Sequence, residues 1–97
     1  MYNPFVIRDV AIADAAKKAL RKVPVHIARK LQQWVDDVEE SGLEEVRKRA
    51  GWHDEPLHGK RHGQRSIRLN QAYRAIYELV RGRVEFVLIQ EVSKHDY

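Results

Sequence analysis

The spacing of apolar residues changes once along this 97-residue chain, and that change constrains the fold most strongly. Up to Gly42 the apolar residues recur every three or four positions, which is the period of an amphipathic helix. After Gly63 they alternate or run continuously, which is typical of strands. A chain that passes from helices to strands predicts an α+β fold, and its length fits one domain over residues 1–97.

Two helices are predicted before Gly42. Asp9 is placed to cap the first helix, and Pro24 ends it. The second helix carries an apolar stripe at positions 27, 31, 34, 35 and 38, and Ser41-Gly42 ends it. Residues 43–49 add a short helical turn. We expect an N-terminal helical hairpin with one shared apolar side.

Three strands are predicted after a loop over residues 51–63. They cover residues 64–69, 72–80 and 84–92, with a glycine-centred hairpin at residues 81–83. We expect a small antiparallel meander with one face packed on the helical hairpin. Because side chains alternate along a strand, Arg68 and Arg74 should share the other face on neighbouring strands.

Composition narrows the functional classes. Hydrophobic residues make up 43% and charged residues 33%, which argues against disorder. No apolar run approaches the roughly 18 residues of a membrane span, and the N-terminus lacks the pattern of a signal peptide. The chain has no cysteine, which excludes disulfides and thiolate metal sites. These features predict a cytosolic protein without a membrane partner.

Positive charge is concentrated in the second half of the chain. Residues 52–83 contain seven Lys/Arg against three Asp/Glu, together with three of the five histidines. Such a surface favours a polyanion such as nucleic acid, although a solvated basic face without a partner is the alternative. The histidines at 53, 58 and 62 lack the spacing of a metal site, so we predict neither a metal nor another cofactor.

Several side chains suit acid–base chemistry on a phosphodiester. Cleavage of RNA without a metal needs a base for the 2′-hydroxyl, cations for the charge on the phosphate, and an acid for the leaving 5′-oxygen. Arginine binds two phosphate oxygens with its planar fork, while carboxylate, imidazole or phenol can serve as base or acid. The candidate catalytic residues are Glu55, Arg68, Arg74, His95 and Tyr97.

Other basic residues are candidates for contacts to the RNA backbone, which position a substrate without reading its sequence. They are Lys60, Arg61, His62, Arg65 and Lys94. Each assignment has an ordinary alternative. Arg74 could pair with Glu78 on an exposed strand, Glu55 could be a solvated loop carboxylate, and residues 95–97 could be a frayed tail. Trp34 belongs to the core, and Trp52 either covers one end of the core or stacks on a base.

Three segments resemble the RelE superfamily of bacterial toxins, with the HigB-like and YoeB-like members closest. They are the run from Glu55-Pro56-Leu57 to Leu69, the strand Tyr73-Arg74-Ala75-Ile76-Tyr77, and the ending His95-Asp96-Tyr97. The resemblance covers nearly the whole chain and implies a RelE-like fold. It also implies a ribosome-dependent endoribonuclease that cuts mRNA in the decoding site, and a cognate antitoxin that neutralises it.

The same resemblance suggests roles for individual residues. Glu55 matches the residue before Pro-Leu, a glutamate in YoeB-like toxins and a histidine in HigB, and is the candidate general base. Arg74 matches the strand arginine that stabilises the scissile phosphate. HigB ends in Asp-Tyr-His and YoeB in Tyr-His-Tyr, so the acid among the last three residues stays open. His95 is favoured and Tyr97 is second.

Two other functions stay open at this point. ParE toxins share the fold but inhibit DNA gyrase without a nuclease site, so a non-catalytic gyrase inhibitor is one alternative. A plain RNA-binding module is the other, and it predicts salt-sensitive binding without cleavage.

Overall fold

A computed structural model describes residues 6–81 and 86–94. Five strands form one sheet in the order β1-β5-β4-β3-β2. The strands are β1 (Val10–Ile12), β2 (Glu55–Pro56), β3 (Gln64–Arg68), β4 (Tyr73–Val80) and β5 (Phe86–Lys94). The helices are α1 (Asp14–Leu20), α2 (Val25–Ser41) and α3 (Leu43–Arg47). The predicted α+β class is confirmed. Of the helices in the described ranges, none is both long enough and apolar enough to span a membrane.

The helices cover one face of the sheet and enclose a single core. The whole apolar stripe of α2 is buried, together with Ala16 of α1 and Leu43 of α3. The sheet supplies Ile67, Ala75, Tyr77, Ile89 and Val92 to the same cluster. At its centre the rings of Trp34 and Tyr77 lie 5.0 Å apart, at an interplanar angle of 43°. The opposite face of the sheet therefore remains for polar side chains.

The start of the first predicted helix is wrong. Asp9 does not cap it, because residues Val10–Ile12 form β1 and the helix begins at Asp14. β1 runs parallel to β5, and Ala13 N donates to the Ile89 carbonyl at 2.8 Å. Val and Ile favour strands, and β5 provides a backbone partner that is distant in sequence. The sheet is therefore mixed, whereas the sequence predicted an antiparallel meander.

A second strand was missed inside the predicted loop. Glu55 and Pro56 form β2, which pairs antiparallel with β3 so that Glu55 lies opposite Ser66. The predicted strands over 64–69 and 72–80 are confirmed as β3 and β4. The predicted third strand overlaps β5, while the hairpin tip at Gly82 and Arg83 lies outside the described residues.

A bulge in β5 changes which side chains reach the open face. Ile76 pairs with Glu91 and Tyr77 pairs with Ile89, so Gln90 is an extra residue. Ile89 and Val92 both remain in the core. Gln90 and Glu91 between them both form hydrogen bonds to polar side chains of the open face. The bulge thus adds one more polar residue to that face.

Candidate functional site

Two arginines lie directly opposite each other on the open face, Arg68 on β3 and Arg74 on β4. Opposed residues in antiparallel strands hold their Cβ atoms about 4.5–5.5 Å apart, so the two guanidinium groups share one small area. Arg74 Nη1 donates to Ser66 Oγ at 3.4 Å. Within residues 6–81 and 86–94, no carboxylate forms an ion pair with either arginine. The pair is therefore suited to an anion supplied from outside.

Glu78 does not pair with Arg74, so the alternative in which the two residues form an ion pair along β4 is wrong. Its carboxylate accepts a hydrogen bond from Gln90, whose amide oxygen in turn accepts one from Gln64. This chain of polar groups crosses β3, β4 and β5 at one end of the open face. Because Glu78 is engaged there, its carboxylate does not pair with the guanidinium group of Arg74.

Glu55 lies at the edge of the same face. Its register partner is Ser66, and Arg68 is two residues further along β3. Diagonal neighbours of this kind have Cα atoms about 7–8 Å apart, within reach of long side chains. Glu55 is exposed, and none of the hydrogen bonds or ion pairs found in the described part engages its carboxylate. A carboxylate and two guanidinium groups thus border one open space.

Ser66 and Ile76 are neighbours across β3 and β4 on this same face. Ser66 is 3% exposed and Ile76 is 8% exposed. Both are covered by the longer polar side chains around them.

Arg61 reaches the open face from the turn Gly59–Arg61. It donates to Glu91 Oε1 at 3.2 Å and to Gln64 Oε1 at 3.3 Å. Ser93 Oγ donates to the other oxygen of Glu91 at 3.2 Å. Lys60 and His62 beside it are exposed. Of the predicted RNA-binding residues, this turn places Lys60, Arg61 and His62 along one rim of the face.

Arg65 and Lys94 are not brought to this face. Arg65 lies on the other side of β3, where its Nε donates to Asp54 Oδ1 at 2.5 Å. Lys94 is exposed at the end of β5, opposite Tyr73, whose ring packs against the core. Strand alternation therefore separates both residues from Arg68 and Arg74.

A buried polar network lies directly beneath Glu55. The Asp54 side chain is 0% exposed, and its second oxygen accepts a hydrogen bond from the Tyr77 hydroxyl at 2.6 Å. Burial raises the pKa of Tyr77 above its usual range, and the hydrogen bond to Asp54 raises it further. For Arg65, burial lowers the pKa, but the hydrogen bond and charge of Asp54 outweigh burial and leave it raised. Sequence reasoning missed Asp54, although it directly precedes Glu55.

The three proposed acids, His95, Asp96 and Tyr97, lie outside the described residues. Their assignment stays a prediction. Trp52 is buried, with Lys30 Nζ 4.7 Å from its ring centroid, so it packs against α2 and is not available to stack on a base. Within the described part, no group of three or more His, Cys, Asp and Glu residues is arranged to hold a metal ion.

Comparison with known proteins finds similarity at the level of structure. No protein-family model and no curated protein sequence matches the chain. YafQ from E. coli strain BL21(DE3) has a TM-score of 0.71 and 17% identity, covering 91% of this chain and 93% of YafQ. A YoeB/ParE toxin from Agrobacterium tumefaciens has a TM-score of 0.68 and 15% identity, covering 91% and 99%.

A third similar structure is the toxin–antitoxin complex RelBE2 from Mycobacterium tuberculosis. Its matching chain has a TM-score of 0.68 and 23% identity, covering 93% of this chain and 100% of that one. The RelE-like fold predicted from the sequence is therefore confirmed. The similarity does not distinguish a HigB-like member from the other toxins of this fold.

Proposed function

We propose that this chain is the toxin of a type II toxin–antitoxin pair and cleaves mRNA in the ribosomal decoding site without a metal. The observation that carries the proposal is the facing pair Arg68 and Arg74 beside Glu55, with no carboxylate paired to either arginine within the described ranges. Solved toxins of the same fold, including one in complex with its antitoxin, support it.

The chemistry follows from the placement of these groups. Glu55 removes the proton from the 2′-hydroxyl, whose oxygen attacks the adjacent phosphorus atom. Arg68 and Arg74 bind the non-bridging oxygens and stabilise the negative charge that grows there. His95 protonates the leaving 5′-oxygen, with Tyr97 as the second candidate. The products are a 2′,3′-cyclic phosphate and a 5′-hydroxyl end.

The chain length allows the acid to reach the phosphate. Ser93 is the register partner of Arg74, and His95 follows it by two residues. Two extended residues span at most about 7 Å. The Cα atom of His95 is therefore tethered within about 7 Å of the Cα atom of Ser93, the residue opposite Arg74.

The proposed partners are the ribosome with its mRNA and a cognate antitoxin. The polyanionic substrate would bind across Arg68 and Arg74, with Lys60 and His62 at the rim. An antitoxin would neutralise the enzyme by covering this basic face or by packing beside the chain end. This places the protein in the cytoplasm.

The decisive experiment is sequencing of mRNA 5′ ends after brief induction. We expect cuts within translated codons for the wild type, no cuts for Arg74→Ala, and wild-type cuts for Arg29→Ala, which removes an exposed arginine from α2. Gyrase-linked DNA breaks without mRNA cuts would identify a ParE-like inhibitor. Salt-sensitive RNA binding without cleavage on ribosomes would identify an RNA-binding module.

Growth assays test the individual roles. Glu55→Ala, Arg74→Ala and His95→Ala should each relieve growth arrest while the protein stays folded. Cleavage by the wild type should follow a bell-shaped pH profile, because a base and an acid both titrate. Full toxicity of all three variants at equal expression would show that the site is assigned wrongly.

A further inference from the structure

We propose that Asp54, Arg65 and Tyr77 form a hydrogen-bonded network, with Asp54 and Tyr77 buried, that positions Glu55. The catalytic consequence rests on the proposed function, in which Glu55 is the general base. The positioning itself is a structural property and can be measured in an inactive protein. Arg65 and Tyr77 lie on the side of the sheet opposite Arg68 and Arg74, so the network would act through Glu55.

The side chain of Asp54 is bonded to the hydrophobic core through Tyr77. Both of its carboxylate oxygens are engaged, one by Arg65 Nε at 2.5 Å and the other by the Tyr77 hydroxyl at 2.6 Å. Tyr77 is 1% exposed and packs against Trp34 in the centre of the core. The loop that carries Asp54 is therefore attached to two adjacent strands, β3 and β4.

Arg65 also contacts the backbone next to Glu55. Its Nη2 lies 3.5 Å from the carbonyl oxygen of Asp54, which belongs to the peptide bond leading into Glu55. A single guanidinium thus holds both the side chain and the carbonyl of Asp54. Rotation of that peptide would break the contact, so Arg65 restrains the direction in which the next residue leaves.

The backbone of β2 pairs with β3 over only two residues. The strand is two residues long at the edge of the sheet, and one of the two is Pro56, which has no N–H to donate. The next backbone bond, from Leu57 N to the Gln64 carbonyl at 2.9 Å, lies beyond the proline. On the upstream side, the anchor for Glu55 is the Asp54 side chain.

His53 shows that the chain turns sharply just before this anchor. Its φ is 47°, the only positive φ of a non-glycine residue in the described part. Such a conformation persists where the surroundings hold it in place. After the turn, Asp54 points into the core and Glu55 lies on the open face, because successive residues of an extended chain point to opposite sides. Fixing one side chain therefore fixes the other.

Two substitutions test the network with little disturbance of the core. Tyr77→Phe removes one hydroxyl and keeps the ring packed against Trp34, while Asp54→Asn keeps the shape and removes the charge. Misplacement of a catalytic group by about 1 Å can lower a rate roughly 100-fold. For Tyr77→Phe and Asp54→Asn, we expect kcat for cleavage on programmed ribosomes to fall at least tenfold, with KM unchanged. Arg65→Lys should retain more activity than Arg65→Met.

The matched control breaks an ion pair elsewhere. Arg49 lies 3.2 Å from Asp37 and contacts Ser41 on the helical side of the molecule. Arg49→Met should leave kcat and KM unchanged at a temperature where all variants are folded. A loss of kcat in this control equal to that of Tyr77→Phe would mean that general destabilisation explains the effect, and the proposal would be overturned.

A second measurement does not depend on activity. In an Arg74→Ala background, hydrogen exchange at the Glu55 and Leu57 amides should accelerate at least tenfold in Tyr77→Phe and Asp54→Asn. Exchange at Ile76 and Ile89, in the central strands, should stay protected. Unchanged exchange at Glu55 in both variants would refute the positioning.

The two measurements separate the failure of this inference from failure of the proposed function. If Glu55→Gln cleaves normally while the network variants loosen Glu55, the positioning stands and Glu55 is not the base. In the other case, Glu55→Gln is inactive and the network variants loosen Glu55, but those variants keep the wild-type kcat. The positioning then has no catalytic role, and that part of the inference is wrong.

Discussion

Arg68 and Arg74 are two like charges placed directly opposite each other on neighbouring strands. Like charges directly opposite each other in a sheet are destabilising. Arg68 and Arg74 occupy such positions, and within the described ranges neither forms an ion pair with a carboxylate. A bound phosphate would offset the repulsion. Stability and substrate binding should therefore respond in opposite directions when one of the two charges is removed.

We expect Arg68→Met, which keeps the aliphatic stem, to raise the free energy of unfolding by about 0.2–1 kcal/mol while slowing cleavage. Urea unfolding and single-turnover cleavage measure the two effects. Arg29→Met, on the exposed side of α2, is the matched control and should change neither. A loss of stability in Arg68→Met would show that repulsion between the arginines is not a significant cost.

The buried phenol of Tyr77 predicts a loss of stability at high pH. Its pKa is raised in the folded protein, first by burial and then by Asp54, so both states hold the proton below about pH 10. Above that pH the unfolded chain releases the proton and the folded protein does not, which favours unfolding. Above about pH 10 the wild type should lose stability more steeply than Tyr77→Phe. Thermal unfolding at each pH measures the stability of both proteins. Equal losses of stability in the wild type and in Tyr77→Phe would contradict this prediction.

At the scale of elements, the junction between α2 and α3 depends on one glycine. Gly42 has φ 88° and ψ 152°, a combination that residues with a side chain rarely adopt. A Cβ there would also overlap Val6 Cγ1. Leu43 N bonds the Ile7 carbonyl at 2.8 Å, so the segment before β1 is held closely against this corner.

Gly42→Ala should therefore lower the free energy of unfolding by about 1–3 kcal/mol, because it strains the backbone and displaces Val6. Gly51→Ala is the control, because its φ is not positive and a Cβ there meets no atom within 4 Å. That substitution should be neutral or slightly stabilising. Equal urea midpoints for both variants would show that the segment containing Val6 moves aside at little cost.

The elements also differ in how far the sequence predicts them. The helix α2 is 17 residues long, and the spacing of its apolar stripe predicts it directly. β1 is three residues long and overlaps a helical spacing, so only its pairing with β5 identifies it. β2 contains a proline and lies among glycines, and the bulge at Gln90 adds one residue to an apolar run. Each of these depends on a partner strand.

At the scale of the whole molecule, the charges of the helical part are segregated along the chain. Residues 15–35 contain six Lys/Arg and no Asp/Glu, whereas residues 36–45 contain six Asp/Glu and no Lys/Arg. The helical part of the sequence thus contains a basic region followed by an acidic region. The molecule has a second basic surface on α1, in addition to the arginine face of the sheet.

Salt dependence can tell which surface binds RNA. For single-stranded RNA, each lost phosphate contact lowers the slope of log affinity against log salt by about 0.7. We expect this change for Arg68→Met, and none for the double variant Lys17→Met/Lys18→Met on α1. A reduced slope in the α1 variant alone would place RNA on the helical side and contradict the proposed site.

The candidate site divides in the same way between local and distant information. Strand alternation and the family resemblance were enough to put Arg68 and Arg74 on one face, because both depend on short stretches of sequence. They did not reveal that Arg65 turns inward to Asp54, or that Arg61 pairs with Glu91. The local sequence around a basic residue does not predict which carboxylate will pair with it in the folded protein.

Periodicity was sufficient to establish the α+β class, the buried side of α2 and the two faces of β3 and β4, because spacing along the chain is a local property. The parallel addition of β1, the pairing of β2, the bulge and the Asp54–Arg65–Tyr77 network were settled by folding. Each requires two separate segments of the chain to meet, and their backbone bonds and buried charges are stable only once the core has formed around them.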